Sequence, residues 1–144
     1  MSWTIRLLTN TPADYTRFSE LIKEFRDTTF TYEQFCTQLA YMSTHSQIWV
    51  MDMSGELVGT ATLLYERKFI FNICTLAHIE DVCIKTTHRR QGLGKILIET
   101  LIEEATAANC YKITLDCMPP NVDFYKACSF ELRGHQMTKL LKAV

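Results

Sequence analysis

This chain carries no surplus of either charge: 15 Lys and Arg stand against 16 Asp and Glu, a net charge of −1 in 144 residues. A dedicated nucleic-acid surface calls for a basic domain, so small ligands are the better expectation. Five glycines and three prolines mark turns without building a linker, and no repeat or low-complexity stretch divides the chain, so a single domain over 1–144 is expected. No apolar run approaches the roughly 18 residues of a membrane span. The start, Met1-Ser2-Trp3-Thr4-Ile5-Arg6, lacks the basic-then-apolar pattern of a secretory signal. The six cysteines, Cys36, Cys74, Cys83, Cys110, Cys117 and Cys128, include no Cys-x-x-Cys pair and read as reduced packing residues. A soluble, cytoplasmic protein is expected, whose 47% hydrophobic content can enclose a core without disulfides.

What the chain does have is an ordered run of secondary-structure signals. Trp3 to Leu8 reads as a strand. Thr11-Pro12 opens an amphipathic helix carrying Tyr15, Phe18, Leu21, Ile22 and Phe25 at helical spacing. Thr31-Tyr32-Glu33-Gln34 has the form of a capping box, followed by Phe35, Leu39 and Met42. Gln47–Met53 and Leu57–Ile70 are β-rich runs around the turn Ser54-Gly55-Glu56, with a loop expected over Phe71–Ala77. Strands over His78–Lys85 and Tyr111–Cys117 flank a long helix from Leu93 to about Ala108. Pro119-Pro120-Asn121 starts a short helix through Cys128, and His135–Leu141 could add a last strand. The order β-α-α-β-β-β-α-β-α-β implies an α/β fold around one mixed sheet.

The seven residues Arg89-Arg90-Gln91-Gly92-Leu93-Gly94-Lys95 stand between a strand and that long helix. Glycines let the backbone turn with its N–H groups outward, the helix start adds about half a positive charge, and Arg89, Arg90 and Lys95 flank it. A pyrophosphate would fit there. A P-loop is excluded, because one residue separates the glycines and Ile96 follows Lys95 where a Ser or Thr would bind magnesium. The dinucleotide fingerprint is excluded because Leu97 occupies the position of its third small residue. Binding of a phosphate ester by backbone and cations, without metal, is the expectation.

The segment Arg89-x-x-Gly92-x-Gly94 resembles the acetyl-CoA loop of the GNAT acetyltransferases. The blocks His78-Ile79-Glu80-Asp81-Val82, Cys110-Tyr111-Lys112-Ile113-Thr114-Leu115-Asp116-Cys117 and Asn121-Val122-Asp123-Phe124-Tyr125-Lys126 are similar, in more detail, to that superfamily's eukaryotic glucosamine-6-phosphate N-acetyltransferases. Glu66-Arg67-Lys68 fits too, and the detailed likeness runs from about Thr60 to Lys126. It implies a GNAT fold, acetyl-CoA as co-substrate with no metal, a phosphosugar amine as acceptor, no nucleic-acid partner, and a homodimer completed by the C-terminal strand.

The resemblance also assigns roles. The sugar amine would attack the thioester directly. An amine whose pKa lies near 7.7 to 8 is already roughly a sixth neutral at pH 7, so orientation and oxyanion stabilisation matter more than a strong base. Main-chain N–H groups at Val82, Cys83 and Ile84 would meet the acetyl carbonyl, and Gln91, Leu93 and the rest of the loop the diphosphate. Asn121 and Lys126 would hold pantetheine and a CoA phosphate. Asp116 or Glu80 would handle the amine proton, and Tyr125 would donate to the departing sulfur, its pKa of about 10 against about 8.5 for a thiol favouring stabilisation over full transfer. Lys68, with Lys112 as a second candidate, would hold the sugar phosphate, while Glu80 and Asp81 belong to the sugar site and Tyr111 and Lys112 contact the phosphosugar. Glu80 and Asp81, adjacent in a strand, are expected on opposite faces, whereas Lys112, Thr114 and Asp116 share one. Two positions depart from the family: Phe71 stands where a His often follows the lysine, and Leu140, beside Lys139, stands near its late-strand Arg. Arg26 or Thr28 would take the place of its early substrate Thr. Other readings the residues leave open are a GNAT for another small amine, or a CoA-binding module without turnover.

Overall fold

The computed structural model describes residues 2–144. A single five-stranded sheet runs in the order β1-β2-β3-β4-β5, with β1 (Thr4–Leu7), β2 (Ser46–Met53), β3 (Glu56–Lys68) and β4 (Cys74–Ile84) each antiparallel to the next of these four. The short β5 (Lys112–Thr114) lies parallel to β4, which makes the sheet mixed. Helices α1 (Pro12–Phe25) and α2 (Tyr32–Met42) cover one face. The other is covered by α3 (Leu93–Ala107), with α4 (Val122–Ala127) beside it.

Local chemistry explains the boundaries. The Thr11 side chain accepts from the Asp14 amide with Pro12 at the first helical position, and Thr31 and Gln34 complete a reciprocal capping box. Each helix then buries its apolar stripe. Leu93, Leu97, Ile98, Leu101 and Ala105 of α3 pack on Ala61, Leu63, Ala77 and Ile79, while Leu21 and Phe35 pack on Ile48, Val50, Leu57 and Cys83. All six cysteines are free, with Cys83 and Cys128 buried, in keeping with a packing role.

Three elements differ from expectation. Residues 74–77 belong to β4 and not to a loop, because the hairpin closes over Phe69–Ile73, where Phe71, Asn72 and Ile73 take positive φ angles of 52°, 58° and 72°. Tyr111–Cys117 shrinks to a three-residue strand, since pairing with β4 stops at His78↔Thr114. No strand forms over His135–Leu141, where Met137, Leu140 and Leu141 are fully exposed without an adjoining sheet edge to complete their bonding. That segment was the expected C-terminal strand.

One part-buried ion pair ties the start of the fold together. Asp14, 2% exposed, accepts from Arg6 through two bonds of 2.8 Å and from the Thr9 amide and hydroxyl at 2.9 and 2.7 Å, while Arg6 also reaches Asp52 at 3.1 Å. The Arg6 bonds, outweighing the cost of burial, hold the Asp14 carboxyl well below the usual carboxylate range. The group therefore contributes stability that is fully present above an unfolded pKa near 3.9 and is lost as pH falls toward its lowered folded value. Asp14→Ala is expected to cost about 3 kcal/mol of unfolding free energy in urea at neutral pH. The difference from wild type should narrow between about pH 5 and about pH 2; a difference that holds constant across that range would contradict the assignment.

Candidate active site

A break in the sheet creates the site. Strand β3 pairs Thr60 with Cys83 and Thr62 with Glu80, so Ala61 faces two residues, Asp81 and Val82. Asp81 takes a positive φ of 52° to accommodate the extra residue. Strict alternation therefore fails here. Asp81 lines a cavity with Thr60 and Thr62, on the face to which His78 and Glu80 belong, instead of pointing away from Glu80. Beyond the bulge β4 runs on to Ile84, but β5 has already left it, and the two strands diverge.

The edge of β4 thus exposed carries free hydrogen-bonding groups. The Lys85 amide donates to Val58 of β3 at 2.8 Å, so by alternation the amides of Ile84 and Val82 face the gap, while that of Cys83 turns into the β3 ladder. The Ile84 carbonyl confirms the direction, because it accepts from Arg89 Nε at 3.0 Å. Arg89 thereby closes the loop onto the strand end, a use that the sequence did not suggest.

At the mouth of the gap lies the start of α3. Gly92 is its N-terminal cap at a φ of 77°, with open space where a side chain would project, and no side chain caps the helix. The first helical bond is Ile96 N–H to the Gly92 carbonyl at 3.3 Å, which leaves the amides of Leu93, Gly94 and Lys95 without protein acceptors among the described residues. Three uncapped amides plus the helix dipole suit a diphosphate. Arg90 and Gln91 are exposed beside them, and Lys95 makes only a 3.9 Å contact with Glu99. Gly94 serves another purpose: a Cβ there would meet the Phe124 ring at 3.2 Å, so its absence lets α4 approach and sets the position of the next residue, Tyr125.

Tyr125 is half-buried between the edges of Phe124 and Phe130, ring centroids 4.9 and 6.0 Å away. Burial, followed by the charges of Cys117 and Cys128, pushes its phenol up to about 12. It stays protonated and can donate. Transfer of its proton to a thiolate near 8.5 would be uphill by roughly 5 kcal/mol, more than the reference values indicate. Asn121 and Lys126 lie exposed at the two ends of the same short turn and helix.

Across the gap, Glu80 is held above the usual carboxylate range by burial first and then by the negative charges of Asp81 and Asp116. The charges of Asp81 and Asp116 thus reach Glu80, a setting that attracts a cationic amine and makes Glu80 a better proton acceptor than a free carboxylate. The neighbouring cavity, about 950 Å³, is lined by Thr28, Thr29, Gln38, Thr60, Thr62 and Asp81, among others. Of Arg26 and Thr28, it is Thr28 that lines this cavity. Arg26 instead lies over the Phe25 ring at 4.6 Å and donates to the Phe25 carbonyl.

The last cluster stands at the far end of the same face. Lys68 lies 3.6 Å from Glu66, which accepts from His78 Nε2 at 3.0 Å, and His78 Nδ1 meets the Thr114 hydroxyl at 2.7 Å. Lys112 Nζ sits 5.5 Å from the Tyr111 ring centroid, and Tyr111 packs edgewise on Phe71 at 5.2 Å. Sequence alternation gives Thr114 a face with Lys112 but no role, and nothing in the sequence pairs it with His78, which the β4–β5 register alone brings opposite. Among the described residues no group of three or more His, Cys, Asp or Glu side chains is arranged to hold a metal ion.

Comparison with known proteins bears on what this arrangement does. The acetyltransferase (GNAT) family matches residues 9–130. Glucosamine 6-phosphate N-acetyltransferase 1 of Dictyostelium discoideum is 33% identical over 126 residues, covering 84% of this chain and 80% of that one. The Schizosaccharomyces pombe glucosamine 6-phosphate N-acetyltransferase is 41% identical over 100 residues, 69% of this chain and 90% of the relative. The crystal structure of glucosamine-6-phosphate N-acetyltransferase from Arabidopsis thaliana superposes with a TM-score of 0.92 at 28% identity, covering 99% of this chain and 100% of that one.

The raised Tyr125 phenol is open to a direct check. In an alkaline absorbance titration one tyrosine should ionise last, near 12, and Tyr125→Phe should remove that step. Between about pH 10 and this value the unfolded chain gains by ionising its tyrosine, so fold stability should fall over that window. A last step that survives the substitution would contradict the assignment.

Proposed function

From membership in the GNAT acetyltransferase family, to which this chain belongs, we propose that it transfers the acetyl group of acetyl-CoA to the amine of glucosamine 6-phosphate, giving N-acetylglucosamine 6-phosphate and CoA for UDP-N-acetylglucosamine synthesis. The observation that carries the reading is the gap between β4 and β5, with uncapped amides of α3 at its mouth and open amides of Val82 and Ile84 along its wall. The relatives named for this activity supply the acceptor.

The chain's residues divide the work. The amides of Leu93, Gly94 and Lys95, with Arg90 and Gln91, bind the CoA diphosphate, and Asn121 and Lys126 flank the arm that enters the gap. Val82 and Ile84 N–H groups hold the acetyl carbonyl and stabilise the negative charge that develops on its oxygen. Asp116 and Asp81 orient the amine, and Glu80, with its raised pKa, takes the proton directly or through a water. Tyr125 stabilises the departing thiolate by a hydrogen bond and keeps its own proton. Lys68 and Lys112, on the strands flanking the same face, attract the sugar phosphate, with Tyr111 beside them.

A homodimer belongs to the same reading. Leu132, Met137, Leu140 and Leu141 are 72%, 93%, 81% and 88% exposed, and the outer edge of β5 has no neighbour in the sheet order. A partner subunit would cover the apolar tail and complete that edge. Six free cysteines suit a reducing, cytoplasmic setting.

The test is CoA release from acetyl-CoA with glucosamine 6-phosphate, run beside glucosamine and spermine. The phosphorylated sugar should be preferred, and Lys68→Met should raise its KM by about 10-fold or more, the weight of a charge-assisted bond, while acetyl-CoA affinity holds. Preference for spermine would point to another amine, and acetyl-CoA binding without turnover on any of the three would contradict the activity.

A further inference from the structure

Glu66 poses a difficulty for any phosphate at Lys68. Its carboxylate lies 3.6 Å from the Lys68 ammonium, and an anion so placed both competes with a phosphate for the lysine and repels it. The same oxygen, Oε1, accepts from His78 Nε2 at the shorter distance of 3.0 Å. His78 is itself fixed from the other side by Thr114 at 2.7 Å, so that β3, β4 and β5 each contribute one member of the row. A carboxylate only accepts, so Nε2 carries the proton and donates, whichever way the Thr114 hydroxyl is turned.

We propose that His78 determines selectivity for a phosphorylated acceptor by holding the Glu66 carboxylate on itself and so leaving the Lys68 ammonium available to phosphate. This rests on the reading of Lys68 as a phosphate ligand. The hydrogen bond to His78 heads the influences that keep Glu66 ionised, ahead of the Lys68 charge, which marks the histidine as its principal partner. Thr114 acts one step further out. It stands at the last paired position before β5 leaves β4, and its hydroxyl sets the imidazole plane that points Nε2 at Glu66. His78 is therefore a positioning residue that need not touch the sugar.

The experiment measures the ratio of kcat/KM for glucosamine 6-phosphate to that for glucosamine, which cancels any effect on groups common to both reactions, such as Glu80. His78→Leu frees Glu66 to pair with Lys68, and the ratio should fall about 3- to 5-fold, the weight of an exposed ion pair. Thr114→Val should act in the same direction, more weakly, and serves if His78→Leu does not fold. Glu66→Gln added to His78→Leu should restore the ratio, because the competing charge is gone; a packing role for His78 predicts no such rescue. A ratio unchanged in both His78→Leu and Thr114→Val, with Lys68→Met still lowering it, would overturn the inference alone. A ratio unchanged in Lys68→Met would overturn the phosphate reading beneath it.

Discussion

The site depends on one backbone event, the extra residue at Asp81–Val82 opposite Ala61. As far as His78, β4 is an ordinary sheet strand with partners on both sides. Past it the strand is bent, β5 has departed, and the amides of Val82 and Ile84 look into open space. Unsatisfied amides at the centre of a sheet are costly unless water or a ligand completes them, so the departure of β5 leaves a binding edge inside the fold, and the bulge shapes it. Asp81 holds a left-handed conformation to make this possible, at a position where aspartate tolerates it better than a β-branched residue would.

Charge is sorted along that gap. Its mouth presents the positive end of α3, with Arg89 drawn back to staple the loop to Ile84 and Arg90 left outward. Negative charge follows, with Asp81 and Asp116 acting on Glu80, while Lys68 and Lys112 lie farther along on β3 and β5. A donor carrying phosphates and an acceptor carrying an amine at one end and a phosphate at the other match that sequence of signs. Tyr125, pushed up by burial, contributes a neutral donor among charged groups. Its position is set by the contact between Gly94 and Phe124, so one glycine of the anion loop also fixes the aromatic residue at the opposite wall.

The loop was legible in the sequence because its chemistry is local: a glycine with positive φ, a helix start and adjacent cations lie within seven residues. The helix caps at Thr11 and Thr31 were legible for the same reason. The bulge was not. No glycine or proline marks it, and an alternating pattern cannot announce its own interruption, so strict alternation puts Glu80 and Asp81 on opposite faces. The early start of β4 at Cys74 was hidden by the irregular, apolar tip Phe69–Ile73. The pattern over His135–Leu141 suits a strand that the isolated chain does not realise, since a strand there needs an edge to pair with. His78 and Thr114 were missed because their partnership spans 36 residues, and only the register of β4 against β5 brings them together.

Hydrogen exchange on the protein with and without CoA tests the central claim most directly. The amides of Val82 and Ile84 and those of Leu93, Gly94 and Lys95 should gain protection together when CoA is added, while Cys83, already in the β3 ladder, should change little. Protection confined to the cavity around Thr28 and Gln38, with the gap and the start of α3 unaffected, would contradict the account.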